Sequence, residues 1–487
     1  MVHCRPLTDR LVPPGATHIR LRGRLTRADR ERDLYAYLPF DVPPGVAAIR
    51  VTLDHDPPGD AKDPTRGAVL DLGLIGPGPL GFSSPAFRGW SGSERRTIVV
   101  GARRATPGYR PGPIEAGRWH ILLGLYAIPA GGCEYRAEVE FLDLEPATEP
   151  APARIASGLS LAAPFATTPT PPPAIPGAAR WIACDLHAHT VHSDGSDEIA
   201  TVAEVARRAG LEVLFITDHN TDSHVAELAA AGAAAGLALL AGEEVTTYGG
   251  HLNALGIRAW VDFRHTTADQ VRSAIDVIHA QGGLASVNHP GSDGCPWTHG
   301  PDLPFDLVEV WNGPWRPENA AGLDWWAGLL QSGRRTAAVG GSDMHSTAPP
   351  GQPVGTPVTW VLATAPDQDA ILDGLRVGRV IVTRDVSVAL PALRVIDGSG
   401  RVADIGATLP VRSPIDVVWR ADDQAGRRLA ILSCEGKVAN VDLGSDRAAG
   451  RIHLDGPAAL AAGHVRIEIR DDEGPVALTN PVFLEGS

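Results

Sequence analysis

The sequence predicts a mixed α/β protein in three parts, with a central region of alternating strands and helices between two all-β regions. Three observations carry this reading. From Arg180 to about Thr383, short apolar runs alternate with amphipathic helical stretches, the pattern of βα units around a mainly parallel sheet. On both flanks, short runs of Val, Ile, Leu and aromatic residues are bounded by Gly/Pro clusters, in a chain carrying 54 glycines and 42 prolines. Between the first two parts lies PATEPAPARIASGLSLAAPFATTPTPPPAIPG, whose Pro, Ala and Thr content reads as an extended linker.

Residues 1–147 are expected to form a β-sandwich from LYAYLPFDV, AAIRVTLDH, AVLDLGLIG, RTIVVGARR, WHILLGLYAI and CEYRAEVEFLDL. The linker takes 148–178. In 179–383, WIACDLHAH reads as a strand and EIATVAEVARRAG as a helix with Ser196 or Asp197 near its cap. LEVLFITDH, LALLAGEEVTT, HLNALGI, LASVNHP, FDLVEVWN and RTAAVGGSDMH follow as strands. Helices are expected over Val225–Ala235, ADQVRSAIDVIHAQGG, Asn319–Gln331 and DQDAILDGLRVG. Some seven repeats suggest a closed or nearly closed barrel, smaller than an eight-fold one. Residues 384–487 return to β-pattern and predict a second sandwich.

Composition narrows the function. The apolar content of 44% lets each part bury a core, and the 21% charged content argues against a disordered chain. The net charge of −14 disfavours nucleic acid as the partner. Lysines are confined to Lys62 and Lys437, an Arg bias that reads as genomic composition. No long apolar run predicts a membrane span, and MVHCRPLTDRLVPPG has no signal-peptide core, so a cytoplasmic protein is expected. Five cysteines form no CxxC pair, which fits a reducing compartment while leaving a single disulfide open. The partner expected is a small-molecule substrate, with the flanking regions packing on the barrel or assembling a homo-oligomer.

The histidines carry the chemistry. Eleven of 17 fall between His187 and His345, about twice what even spacing would place there. His187 and His189 end a strand as HxH, so alternation puts both rings on one face. Asp194 follows within loop reach. His219 ends the second strand, Glu244 follows the third, His251 opens the next, His289 ends another, and Asp343 with His345 end the last. Except for His251, each sits at or just beyond the C-terminal end of a strand, and in a parallel barrel those ends converge on one rim. Imidazoles with carboxylates suit Zn, Mn or Fe. Nine such residues suit two or three ions, which together can trap a hydroxide and clamp an oxyanion.

HAHTVHSDG, ITDHN, GEEVTTYGGH, NHP and GGSDMH resemble, in order, the motifs of the PHP (polymerase and histidinol phosphatase) family over about residues 180–383. FRGWSG, ATPGYRPGPIEAGRW and TNPVF add a weaker resemblance to its CehA/McbA branch, named for a carbaryl hydrolase. The resemblance implies a distorted (β/α)7 barrel holding two or three divalent ions. One site would use His187, His189, Glu244 and Asp343. A second would share Glu244 and add His251 and His289. A third would use Asp194, His219 and His345. Glu243 is the alternative to Glu244.

The expected activity is hydrolysis of phosphoesters by metal-activated hydroxide. The branch resemblance offers a carboxylic-ester or aryl carbamate hydrolase instead, and a carbohydrate- or surface-binding protein is the third reading. His192 and His224 are candidates for the proton donor or a substrate contact. Asn220, Asn288, Asn312, Trp297, Trp315 and Arg316 are candidates for substrate binding. Asp218 is expected to orient a ligand, while Asp222 and Glu309 stay open. The N-terminal GWSGS and PGYRPGP segments are candidates to cover the metal rim.

Overall fold

A computed structural model describes residues 17–59, 67–146, 178–349, 351–412 and 414–486. The expected linker lies almost wholly outside the described residues. The protein is mixed α/β, with β-sheet in all three parts.

The N-terminal part has two antiparallel four-stranded sheets. One runs in the order His18–Leu25, Cys133–Leu142, Ala48–Asp56, Thr97–Gly101; the other Tyr35–Val42, Gly117–Ala127, Val69–Ile75, Phe87–Trp90. They share one apolar core, to which Val51 and Val139 contribute from the first sheet and Leu38, Leu72 and Leu123 from the second. In Cys133–Leu142 alternate residues are buried, as expected for a strand covered on one face. The strand Val69–Ile75 is buried at every position because its sheet is covered on both faces. Leu70, Leu72 and Leu74 enter the N-terminal core, while Ile75 joins the core of the central part with Tyr35, Phe87, Trp90 and Leu122.

In the central part, Arg180–Asp185, Val213–Ile216 and Ala238–Thr247 pair in parallel, as do Leu284–Val287, Leu307–Asn312 and Ala337–Gly341. Gly250–Leu255 joins these triplets and is antiparallel to both. The sheet is thus mainly but not wholly parallel: Tyr248 and Gly249 alone separate two strands, and so short a link can only form a hairpin. On the other side Arg180–Asp185 pairs antiparallel with Val358–Ala363. The two ends of the run meet beyond the last parallel strand, where Asp343 N–H donates to His187 C=O at 2.8 Å and His189 N–H to Met344 C=O at 2.9 Å.

Five helices lie where the helical period places them: Ile199–Arg208, Val225–Ala235, Ala268–Ala280, Pro317–Gln331 and Gln368–Arg376. In the first, Glu198 takes the N-cap position without a side-chain cap hydrogen bond, and Ser196 and Asp197 stand just before it. Those two residues instead tie down the segment after Asp343: Ser196 N–H donates to His345 C=O, and Asp197 Oδ2 accepts from Thr347 N–H, both at 2.8 Å.

Hydrogen bonding runs on across the expected boundary at 383, because Val380–Thr383 pairs antiparallel with Pro475–Thr479. A separate four-stranded sheet (Val402–Asp404, Ala392–Asp397, Ile415–Asp422, Arg447–Leu454) closes over a third core. The four described cysteines are free. Among the described residues no helix is long and apolar enough to cross a membrane.

Candidate metal centre

Strand ends build the site. Asp185, at the end of the first central strand, accepts from His187 N–H and Ser342 N–H through Oδ1 and from Gly355 N–H through Oδ2. It thereby locks the turn that aims His187 and His189 inward, both fully buried. Glu244 lies within Ala238–Thr247 and not after it. Alternation sends the neighbouring Glu243 away from the cup, where its Oε2 accepts from Val261 N–H. Three other turns hold non-glycine residues in the left-handed region: Asn220 (φ 57°), His289 (φ 28°) and Asp343 (φ 51°). Such backbone costs about 1–3 kcal/mol per residue and concentrates where function requires a particular side-chain direction.

Glu244 is the centre of the cup. Its Oε2 lies 3.2 Å from His187 Nε2, 3.3 Å from His189 Nε2 and 3.0 Å from His219 Nδ1. Its Oε1 lies 3.0 Å from His251 Nδ1 and 3.3 Å from His289 Nε2. Asp343 Oδ1 sits 3.3 Å from His187 Nε2 and 3.0 Å from His189 Nε2. Asp194 lies 3.2 Å from His345 and 3.6 Å from His219. Donor atoms lie within 4.8 Å of one another in four groups: His187, His189, Glu244 and Asp343; His219, Glu244 and His251; His189, Asp194, His219 and His345; and His251, His289 and Cys295. All nine expected ligands therefore meet in one place. The grouping differs from the expected one in that His189 also reaches the third set, His219 joins Glu244 and His251 in the second, and His289 groups with His251 and Cys295.

The cup has the charge balance of a cation site. Burial alone would depress the His187 imidazole, but Asp343, Glu244 and Glu309 outweigh it and hold the ring well above its ordinary range. Against the same burial, Asp194 and Glu244 lift His219 to about 9, and Asp194 with Asp343 lifts His345 to about 10. Burial would raise Glu244 and Asp343, yet the surrounding imidazoles hold both well below the usual carboxylate range. His187 Nε2 and Glu244 Oε2 are fully buried without a hydrogen-bond partner. Buried polar atoms rarely stay unpaired, and these two face each other among nitrogen and oxygen donors that suit a divalent ion.

A second layer of residues fixes the first. Glu309, which the sequence left open, places Oε1 2.9 Å from His187 Nδ1, and its Oε2 accepts from His289 N–H at 3.0 Å. Asn312 and Asn288 were expected to face substrate. Asn312 instead donates to Glu309 Oε2 and Asp343 Oδ2, and Asn288 to Glu244 Oε1. Asp218 accepts from Thr190 N–H, Thr190 Oγ1 and Ser193 Oγ, holding the turn that carries His189. His345 Nδ1 lies 2.9 Å from Asp343 C=O, which can only accept, so Nδ1 carries a proton while Nε2 faces Asp194 Oδ2 at 3.2 Å.

The other expected residues stand elsewhere. The His192 ring contacts Ser223 and Glu227, and the fully buried His224 contacts Gly242 C=O and Asp218. Both therefore serve the packing behind the cup. Trp297 Nε1 donates to Gly300 C=O, Trp315 packs against Trp311 and Arg470, and Arg316 is exposed at the start of a helix. Asn220 braces Thr246 through both ends of its amide while lining the adjoining cavity.

That cavity has a volume of about 910 Å³. Asp194, His219 and His251 form one side. The N-terminal sheet forms the other, through Tyr35, Asp71 and Trp90. The aromatic lining is therefore not the tryptophan cluster of the central part. The GWSGS segment contributes Trp90 to Ser93 to the wall, and in PGYRPGP the Gly108 N–H donates to Ser223 Oγ while Arg110 pairs with Asp222 at 2.7 Å.

Strands that gather imidazoles and carboxylates around a central glutamate define a candidate metal centre. The PHP-domain profile matches residues 185–280. An uncharacterised protein of Methanocaldococcus jannaschii is 32% identical over 141 residues, covering 26% of this chain and 80% of that protein. The chain belongs to the PHP-domain family. Similar solved structures include a two-domain protein of Bacteroides vulgatus with a PHP-like metal-dependent phosphoesterase assignment (16% identity, 62% of this chain and 96% of that one, TM-score 0.35). Another is an amidohydrolase of Chromobacterium violaceum, with bound sulfate and no metal (20% identity, 35% of this chain and 89% of that one, TM-score 0.28).

Proposed function

We propose that this protein is a metal-dependent hydrolase with a di- or trinuclear centre held by His187, His189, Asp194, His219, Glu244, His251, His289, Asp343 and His345. The observation that carries the reading is Glu244, whose two oxygens lie within 3.0–3.3 Å of five imidazoles. A carboxylate so placed suits a bridge between neighbouring ions. Divalent ions bound there would lower the pKa of water and stabilise negative charge developing on a substrate oxygen. The chain's own part is to fix the ligand rings through Glu309, Asn288, Asn312 and Asp218, and to cover the cup with the N-terminal sheet. We read the central strands as a distorted (β/α)7 barrel and the flanking double-layered sheets as sandwiches.

Phosphoesters are the first substrate class, since several cations in one cup match their non-bridging oxygens. A carboxylic ester or aryl carbamate, as in the CehA/McbA branch, is the second reading, and one observation favours it. Arg95, on the cavity wall, donates to the carbonyls of Val191 and Ser193 and so is committed to backbone and not to a substrate anion. The test is metal analysis followed by hydrolysis of 4-nitrophenyl phosphate, its bis-ester, 4-nitrophenyl acetate and 1-naphthyl N-methylcarbamate. Turnover that is lost on chelation and in Glu244→Gln is expected. Turnover that survives both would reject the metal centre as the catalytic site, and no turnover of any of the four would count against the hydrolase reading.

A further inference from the structure

We propose that the N-terminal sheet supplies a recognition pocket beside the cup for a planar ring bearing a hydrogen-bond donor, an aromatic amine, phenol or ring N–H, and that Asp71 reads that donor. The inference rests on the hydrolase reading for what happens at the cup, but the pocket stands on its own geometry.

Asp71 lies on Val69–Ile75, where Leu70, Leu72 and Leu74 enter the N-terminal core. Period-2 alternation turns Asp71 to the opposite face, towards the central part. It is 7% exposed and lines the cavity that also contains His219 and His251. Its Oδ2 accepts from the Tyr248 hydroxyl at 2.6 Å, and among the described residues Oδ1 has no protein donor and Asp71 forms no ion pair. Three other buried aspartates have more partners: Asp262 holds Arg264, Asp185 accepts three N–H groups, and Asp218 accepts from Thr190 and Ser193. Asp71 can therefore take a donor from a ligand in the cavity it lines, and a nearly buried carboxyl group gains from such a partner.

The surroundings are shaped for a flat ring. Tyr35 stacks on Tyr248 with centroids 5.7 Å apart and 14° between planes, and Trp90 leans on Phe263 at 4.7 Å. Two glycines let the side chains of this wall pack closely. A Cβ at Gly124 would run into the Tyr248 hydroxyl, Asp71 Oδ2 and the Trp90 ring, and one at Gly73 would stand 2.7 Å from that ring. Apolar walls with one polar group fix a ligand's orientation and select for its complement. A site built around a buried hydrogen-bonding group discriminates strongly against analogues that leave it unpaired.

The test compares 3-methoxyaniline with 3-methylanisole, which match in size and of which only the first carries a hydrogen-bond donor, by ligand-detected NMR on the metal-loaded full-length protein. The aniline is expected to bind at least tenfold more tightly. Asp71→Asn, checked for metal content and unfolding temperature, is expected to shrink that preference at least fivefold. Equal binding of the two ethers by the wild-type protein overturns the pocket, and that result needs no variant. The phosphate and acetate esters of 3-aminophenol and 3-methylphenol then address the cup. Failure to hydrolyse any of them, with selective binding retained, would count against the hydrolase reading and leave the pocket standing.

Discussion

Glu309 holds two ligands at once, the His187 ring through Oε1 and the His289 backbone through Oε2. Carboxylates behind metal-bound imidazoles fix the tautomer and raise basicity, and losing one typically costs about 10–100-fold in metal affinity. Glu309→Gln is expected to lose affinity in that range in a chelator competition, with little change in unfolding temperature of the metal-free protein. Asp71 allows a second prediction. Burial pushes its carboxyl up to about 7, against the Tyr248 hydrogen bond, while an unfolded aspartate titrates near ~4. The native chain therefore keeps a proton that the unfolded chain releases, and stability falls as pH rises through that window and levels off above about 7. Asparagine cannot ionise, so the unfolding temperature of Asp71→Asn relative to wild type should climb by several degrees between pH 4.5 and pH 8. A flat difference would show that Asp71 has an ordinary pKa. The ligand types were legible because HxH, TDH and SDMH put metal-binding atoms at strand ends. Glu309 was not, since its partners lie far along the chain and a lone glutamate in an apolar strand has no local signature.

At the scale of strands and helices, small residues decide whether the cup can form. Gly341 ends the last parallel central strand, and a Cβ there would run into the His187 side chain and stand 2.7 Å from Glu309 Oε1. Neither neighbour can retreat, because both are buried and hydrogen-bonded to each other. Gly341→Ala is expected to abolish most metal loading, measured by elemental analysis of the purified protein. Gly328, on the helix Pro317–Gln331, has open space where its Cβ would go. Gly328→Ala should keep full loading and gain about 0.5–1 kcal/mol of stability, since alanine loses less entropy in a helix. The central helices were readable from their period, and the strands from their apolar runs. The hairpin at Tyr248–Gly249 was not, because both flanking runs resembled the buried strands of a parallel sheet. Nor were the left-handed turns at Asn220, His289 and Asp343, where no glycine marks the position.

For the whole molecule, the contact that matters is that of the N-terminal sheet with the central part. Composition separated the two, but it could not show that one sheet is covered on both faces: Tyr35, Phe87 and Trp90 read as residues of any β core. Arg264 ties the parts together. It is 4% exposed, and it donates to Asp262 Oδ2 at 2.6 Å, the Tyr37 hydroxyl at 2.8 Å, and the carbonyls of Leu80 and Gly81 at 3.1 and 2.9 Å. Asp262 in turn accepts from Ser83 N–H at 2.8 Å. Removing the cation from a buried pair strands the anion and costs roughly 3–5 kcal/mol, whereas removing both charges costs far less. Arg264→Met should therefore lower unfolding stability by about that amount, and Asp262→Asn with Arg264→Met should recover much of the loss. Because the ligands belong to the central part, metal loading of folded Arg264→Met should persist. Backbone amide exchange should instead quicken over residues 80–92, where Leu80, Gly81 and Ser83 are held by Arg264 and Asp262 and Trp90 to Gly92 line the cavity. A loss of metal with no change in exchange there would mean that the N-terminal sheet shapes the cup directly and does not merely cover it.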